Sequence, residues 1–468
     1  MSAFAQSYEA DFANPPQEAR IRVWWHWMDS NISKDGIKAD LEWMKATGVG
    51  GIQQFDAGGS MMGGAPPIVE RLPYMQDGWK EAFRYAMHYA DSLGMEIAIA
   101  SAPGWSSTGG PWVKPENAMK KLTWRSVEVT GNPKAKKPQA ISLPEPYTTV
   151  GKFQNAGGGS GFEMAPGSVQ PWYQDVAVVA VRIPETFKAA RGYDLIPWLP
   201  VLTGQIVRSS EASEKFLFDW RETLGEMFAA NYDRINEIAK EYGMKGRYTE
   251  SHENGRVYVG DGMDLKMTAA VPMSAFWIPG TGGGSSLPMA QADIRESASV
   301  AHVYGQNIAA AESFTAAGLS GNAWSYYPGN LKFMANMAMY SGITRFVIHE
   351  SAHQPSDAHK PGLGLMIFGQ WFNRHDTWAP YARYWADYLA RSCYMLQRGH
   401  FVADVLWYYG EDTNIAGIYG HELPAIPEGC SFDFINPYGV KNLLSVKDWA
   451  IVTPSGLMGP VKLEKLVK

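Results

Sequence analysis

The sequence predicts an α/β fold: a (β/α)8 TIM-type barrel with a replaced or missing fourth strand. Three observations carry that prediction. A helical stretch that ends at a glycine and is followed by an apolar strand recurs six times along the chain. Aromatic and acidic residues collect where those strands end. The 468 residues, 46% of them apolar, suffice for one large core.

The elements follow in order. The run RIRVWWHWM (20–28) reads as the first strand. A helix over 34–47, with Ser33 as N-cap, ends at Gly48 before VGGIQQFD. A second over 78–93 ends at Gly94 before MEIAIASAPGW, and a long one over 214–242 ends at Gly243 before MKGRYTE. Three more, over 292–304, 331–341 and 378–398, end at Gly305, Gly342 and Gly399. They lead into QNIAAAESFT, ITRFVIHE and HFVADVLWYY. Glycine suits the position after a helix because it takes the left-handed conformation without a steric penalty. Strands alternating with helices imply right-handed βαβ units and a parallel sheet. The count is seven strands, one short of closure.

Composition narrows the partners. With 41 basic and 47 acidic residues the net charge is −6, so no basic surplus neutralises nucleic acid or an anionic membrane surface. Two cysteines cannot form a disulfide framework, and no run of 18 apolar residues occurs. The 18 Trp, 23 Tyr and 19 Phe serve either a core or the stacking of sugar rings. The opening MSAFAQS reads either as the tail of a secretory signal, implying a periplasmic or secreted protein, or as an ordinary N-terminus. The expected domains are an N-terminal segment over 1–20, a catalytic barrel over 21–415 with an irregular insertion at about 125–190, and the start of a C-terminal domain over 416–468.

In such a barrel the chemistry lies at the strand C-termini. Those ends carry Trp25, His26 and Trp27, then Gln54 and Asp56, then Trp105. YTESHENG brings Glu250, His252 and Glu253; AAAESFT brings Glu312; FVIHESAHQP brings His349, Glu350 and His353; the last strand brings Tyr409, Glu411 and Asp412. Carboxylates beside indoles suit glycoside hydrolysis, in which one acid protonates the leaving oxygen and a second carboxylate activates water. Glu312 stands out because the apolar run IAAA places its backbone in the barrel wall. The string HESAH matches the zinc motif H-E-x-x-H, but that motif needs a helix, and here RFVI precedes it and Gln354-Pro355 follows. The glycine-rich GGGSGF and TGGGSS lack the strand–loop–helix context of a phosphate cradle.

Long blocks carry a resemblance. The segment NPPQEARIRVWWHWMDSNISKDGIKADLEWMKATGVGGIQQFDAG resembles the opening of the α-L-rhamnosidase family, glycoside hydrolase family 106. So do RGYDLIPWLPVLTG, FLFDWRETL, VPMSAFW, SVAHVYGQNIAAAESFT, HQP, KPGLGLMIFGQWFNRHDTW and VADVLWYYGED, in order over most of 14–412. The resemblance implies a (β/α)8 barrel with β-domains, calcium dependence, and inverting hydrolysis of terminal α-L-rhamnosides. It implies Glu312 as general base and an acidic strand end at Glu250 and Glu253. Trp25, His26, Asp56, Trp105, His349 and His353 are then expected to line the sugar site. The family pattern also has a β-rich insertion and a fourth strand with a D-S-x-E acid, and neither is found between Trp172 and Arg191. The apolar run 176–183 either fills the fourth position or leaves the barrel gapped, with Glu185 or Glu250 as a substitute acid. The alternative function is a carbohydrate-binding barrel that lacks the general acid.

Overall fold

The computed structural model describes residues 2–57, 65–104, 183–250, 260–280, 286–317, 325–365, 367–411, 414–447 and 450–452. The chain divides into two compact units, Met1–Trp105 with Leu224–Lys468, and Ser106–Thr223. Trp105, residues 176–182 of the expected replacement strand, His252, Glu253 and Asp412 lie outside the described residues.

The first unit opens with helix α1 (Ser2–Ala13), then β1 (Arg22–Met28), α2 (Lys34–Thr47), β2 (Gly51–Ala57), α3 (Asp77–Ser92) and β3 (Glu96–Ile99). Helix α2 has the boundaries its sequence specifies. Ser33 Oγ accepts from Gly36 N at 3.0 Å, satisfying an orphan N–H, and Gly48 closes the helix at φ +97°.

The second unit contains α4 (Ile183–Arg191), a 3-10 run over Ile196–Thr203, and the first part of α5 (Ser210–Glu241). Its apolar cluster is Phe187, Leu195, Val201 and Phe216, with the Trp198 ring stacked on Phe216 at 5.7 Å. Ile183, expected to end a strand, instead opens α4, and Glu185 stands exposed in that helix's first turn.

Back in the first unit come β4 (Tyr248–Glu250), α6 (Gly262–Lys266), β5 (Val271–Trp277), α7 (Leu287–Tyr304), β6 (Ala310–Thr315), α8 (Pro328–Tyr340) and β7 (Arg345–Ala352). Then follow α9 (Ala382–Leu396), β8 (Val405–Tyr408), α10 (Ile415–Tyr419), β9 (Phe432–Ile435), α11 (Pro437–Asn442), β10 (Ser445–Lys447) and β11 (Ala450–Val452). Helix α1 packs on α9: Tyr394 donates to Asp11 at 3.2 Å, and the Arg391 guanidinium lies 5.9 Å from the Phe12 ring.

Seven strands form one parallel sheet in the order β3-β2-β1-β7-β6-β5-β4, the neighbour order of a (β/α)8 barrel. The first and last of them, β1 and β7, pair. Among the described residues no strand joins β3 to β4, so the ladder is open where the fourth strand was expected missing.

The number seven agrees with the sequence, but the membership differs. HFVADVLWYY supplies β8, which pairs with β9 in a separate two-stranded sheet. Its place in the barrel falls to β5, VPMSAFW. The short α6 before β5 ends at Met267, not at glycine, so the helix–glycine–strand pattern does not flag it. The β8–β9 sheet covers α7, where Phe434 N donates to Ser299 Oγ at 2.8 Å. It therefore straddles the boundary expected at 415/416.

Apolar side chains pack on both faces of the barrel sheet. Trp25, Trp27, Ile37, Leu41, Trp79, Phe276, Phe314 and Phe346 fill the layer between sheet and helices. Val271, Met273, Ala310 and Val347 form an inner cluster, with Trp24 and Tyr248 against it. All eight residues of β7 and all seven of β5 are buried, as strands covered on both faces must be.

Candidate active site

The alternation of β1 sorts its aromatic run. Val23, Trp25 and Trp27 pack toward the helices, so Arg22, Trp24 and His26 face the barrel interior. On β6, Ala310 and Glu312 face inward while Ala311 packs outward.

Two bulges then re-aim the rim. Between Val23↔Ile348 and Trp25↔Ser351, β7 advances three residues while β1 advances two. The extra residue lets consecutive side chains, His349 and Glu350, both approach His26. Between Phe276↔Ser313 and Trp277↔Thr315, β6 likewise carries one extra residue. That residue is Phe314, held at φ +68°, an uncommon conformation for a bulky side chain. As a result Thr315 returns to the same side as Glu312, and its hydroxyl donates to Glu312 Oε1 at 2.8 Å.

The interior group is His26, Glu312, His349 and Glu350, with Trp24 and Phe55 alongside. Glu350 is fully buried; its Oε1 accepts from Leu365 N at 2.7 Å and its Oε2 meets His26 Nδ1. The His26 ring lies 5.1 Å from His349, 5.2 Å from Phe55 and 6.1 Å from Trp24.

The two carboxyls are driven apart in ionisation. Burial pushes Glu312 up to about 7, against the opposing pull of the Thr315 hydroxyl, the His26 charge and the Trp24 indole. Burial also acts on Glu350, but His26, His349 and the Leu365 amide outweigh it and hold Glu350 below the usual range. A group poised near neutrality beside one held ionised is how a site divides proton-transfer roles.

Three expected lining residues lie elsewhere. Trp25 Nε1 donates to Asp40 Oδ2 at 3.0 Å, and His353 Nδ1 meets the same oxygen at 2.7 Å. Arg374 Nε donates to Asp40 Oδ1 at 2.7 Å, which completes a buried network against α2. Ser33 N approaches the other His353 nitrogen at 3.3 Å, so that ring is engaged at both ends. Asp56 shares the face of Trp27 and accepts from Trp79 Nε1 of α3 at 3.0 Å and from Gln54 at 2.8 Å. Burial raises Asp56 to about 6, with those two donors opposing. All three belong to the sheet–helix layer because strand alternation turns them away from the axis.

Glu250 ends β4, and its side chain lies outside the described set, as do Glu253 and Trp105. Of the expected residues, the structure brings together His26, Glu312 and His349. Trp24, Phe55 and Thr315 join them without having been singled out. Period-2 alternation could have paired Trp24 with His26; the bulge that recruits Thr315 has no sequence signature. His349 and His353 sit on opposite sides of a strand, so the zinc spacing is not realised.

Among the described residues no three His, Cys, Asp or Glu side chains converge as metal ligands would. A buried acidic group near α6 already contains its own cation: Lys266 Nζ lies 2.8 Å from Glu296 and 3.6 Å from Asp293. The described residues thus offer calcium no ligand set, and no step below uses it. Among them, no helix is long and apolar enough to cross a membrane.

A parallel α/β barrel whose interior sets a neutral-range carboxyl beside an ionised one defines a hydrolase-type barrel. The family model described as alpha-L-rhamnosidase matches residues 13–186 and 182–463, and the chain belongs to that glycoside hydrolase family, family 106. The two matched stretches meet at 182–186, within the interval where the expected strand and acid motif are not found. A solved rhamnosidase from Novosphingobium sp. PP1Y is similar at 28% identity and TM-score 0.77, covering 96% of this chain and 66% of that one. A Formosa agariphila protein named "Putative beta-glucuronidase" is 29% identical over 583 aligned residues, 97% of this chain and 48% of that protein. The chain therefore spans about half the length of that curated relative.

Proposed function

We propose that this chain hydrolyses terminal α-L-rhamnosides with inversion, and that Glu312 is the general base. The supporting observation is the inward, buried Glu312 carboxyl, poised near neutrality on the family's AESFT segment. In this reading the Glu312 carboxylate takes a proton from water. The water oxygen bonds to the anomeric carbon, the glycosidic C–O bond breaks with its electron pair, and a carboxylic acid protonates the departing oxygen. Glu250 or Glu253 is the proposed acid, on the resemblance alone. His26 and His349 are proposed to contact sugar hydroxyls.

The test is release of aryl alcohol from an aryl α-L-rhamnoside, with an aryl β-D-glucuronide in parallel because of the second relative's name. Turnover of the rhamnoside with the β-anomer of rhamnose released first, and none by Glu312→Gln, supports the proposal. Rhamnose binding without turnover of either substrate would replace it with the carbohydrate-binding alternative. Calcium dependence, implied by the resemblance, is tested by dialysis against a chelator followed by calcium addition, with loss and recovery of turnover expected.

A further inference from the structure

We infer that Glu350 and His26 act as a positioning pair: Glu350 fixes the His26 ring inside the barrel, and the charge on that ring sets where Glu312 ionises. The inference rests on the reading of Glu312 as general base, and its geometry is independent of any substrate. Neither partner has freedom to turn away. The Leu365 amide holds Glu350 Oε1 at 2.7 Å, leaving Oε2 for His26 Nδ1. Gly369, at φ +91°, lies so close that a Cβ there would fall 2.5 Å from Glu350 Cγ, so the segment behind it leaves no second rotamer. The His26 ring is wedged between Phe55 and His349, whose plane is tilted 70° to it.

Burial makes this arrangement a matter of charge as well as shape. An isolated carboxylate as deep as Glu350 is costly, and a protonated imidazole against it removes that cost. The charged ring in turn stabilises the ionised form of Glu312. The other groups acting on Glu312 are the Thr315 hydroxyl, the Trp24 indole and, from α7, Asp293, which opposes ionisation. His349 is the further titratable group facing the pair. Glu350 does not touch substrate in this scheme; it acts through His26.

The sign of the effect makes the test decisive. Removing a negative charge near Glu312 would, acting directly, lower its midpoint. Acting through His26, it raises the midpoint, because the ring loses its counter-ion and the Glu312 carboxylate loses its cation. The experiment is a carboxyl-carbon NMR titration of the sugar-free protein labelled in glutamate, with the Glu312 resonance identified by its loss in Glu312→Gln. Glu350→Gln is expected to raise the Glu312 midpoint by about one pH unit. His26→Gln should raise it equally, and the double variant no further. The low-pH limb of kcat/KM should move by the same amount. A midpoint that falls or stays in place in a Glu350→Gln protein with native circular dichroism overturns the inference. Should that variant not fold, His26→Gln decides alone, and an unmoved midpoint there overturns it. Because no sugar is present, a chain inactive on rhamnosides leaves the titration informative.

Discussion

The Tyr248 hydroxyl, at the start of β4, donates a 2.6 Å hydrogen bond to Glu96 Oε1 at the start of β3. These strands are the two edges of the barrel sheet, so a side-chain bond spans the opening that the backbone ladder leaves. Arg22 Nη2 donates to the other Glu96 oxygen at 2.9 Å, and Arg345 Nη1 donates to the Tyr248 hydroxyl at 2.8 Å. Tyr248→Phe removes the link and leaves Arg345 short of an acceptor. It should cost about 1–3 kcal/mol in urea unfolding. An unchanged midpoint would mean that other contacts hold the edges.

The same latch predicts acid sensitivity. Burial works against ionisation of Glu96, but Arg22, the Tyr248 hydroxyl and Arg345 outweigh it and bring it down to about 2. A depressed carboxyl stabilises the fold above its unfolded value near 4.5, and that stability is lost as pH falls toward 2. Glu96→Gln should therefore flatten the pH dependence of the unfolding midpoint between about pH 5 and pH 2. A slope identical to that of the parent would assign the acid transition to other carboxyls.

Glu312 predicts the opposite slope. Its folded value near 7 lies above the unfolded one, so the fold is favoured below about pH 4.5 and loses that stability as pH rises through 7. Glu312→Gln should then be more stable than the parent at pH 8, by on the order of 1–3 kcal/mol. The same variant should lose about 100- to 10,000-fold in turnover. Greater stability with lost activity would mark strain kept for chemistry; a less stable variant would contradict the burial argument.

As a general base Glu312 must be ionised, so kcat/KM should rise with pH through about 7. A rate already level from pH 5 upward would show that the proton acceptor lies elsewhere.

Asp40 tests the placement of Trp25 and His353. Asp40→Ala strips the acceptor from Trp25, His353 and Arg374 at once, which should cost about 3–5 kcal/mol. Because this network faces the helices, the low-pH limb of the remaining activity should stay in place. A displaced limb would mean that the network reaches the barrel interior.

Much of the fold can be read along the chain. Ser33 and Gly48 mark the ends of α2, and Gly305 and Gly342 mark those of α7 and α8, because caps are local chemistry. The aromatic-acidic strand ends identify the barrel rim for the same reason. What escapes is parity. WWHWM and HESAH present every residue as a possible lining group, and single-residue bulges decide which ones turn inward. VPMSAFW is hidden because a short helix without a terminal glycine leads into it, and HFVADVLWYY has strand composition wherever it pairs.

The sequence by itself determined the succession of helices and parallel strands and the presence of acids near the strand ends, since caps, turns and periodicity act over a few residues. Only the tertiary structure decided that Glu312, His26, His349 and Glu350 share one interior while Trp25, Asp56 and His353 serve the outer layer. That choice depends on the register between strands far apart in the chain, where one extra residue in β6 or β7 reverses the face a side chain presents.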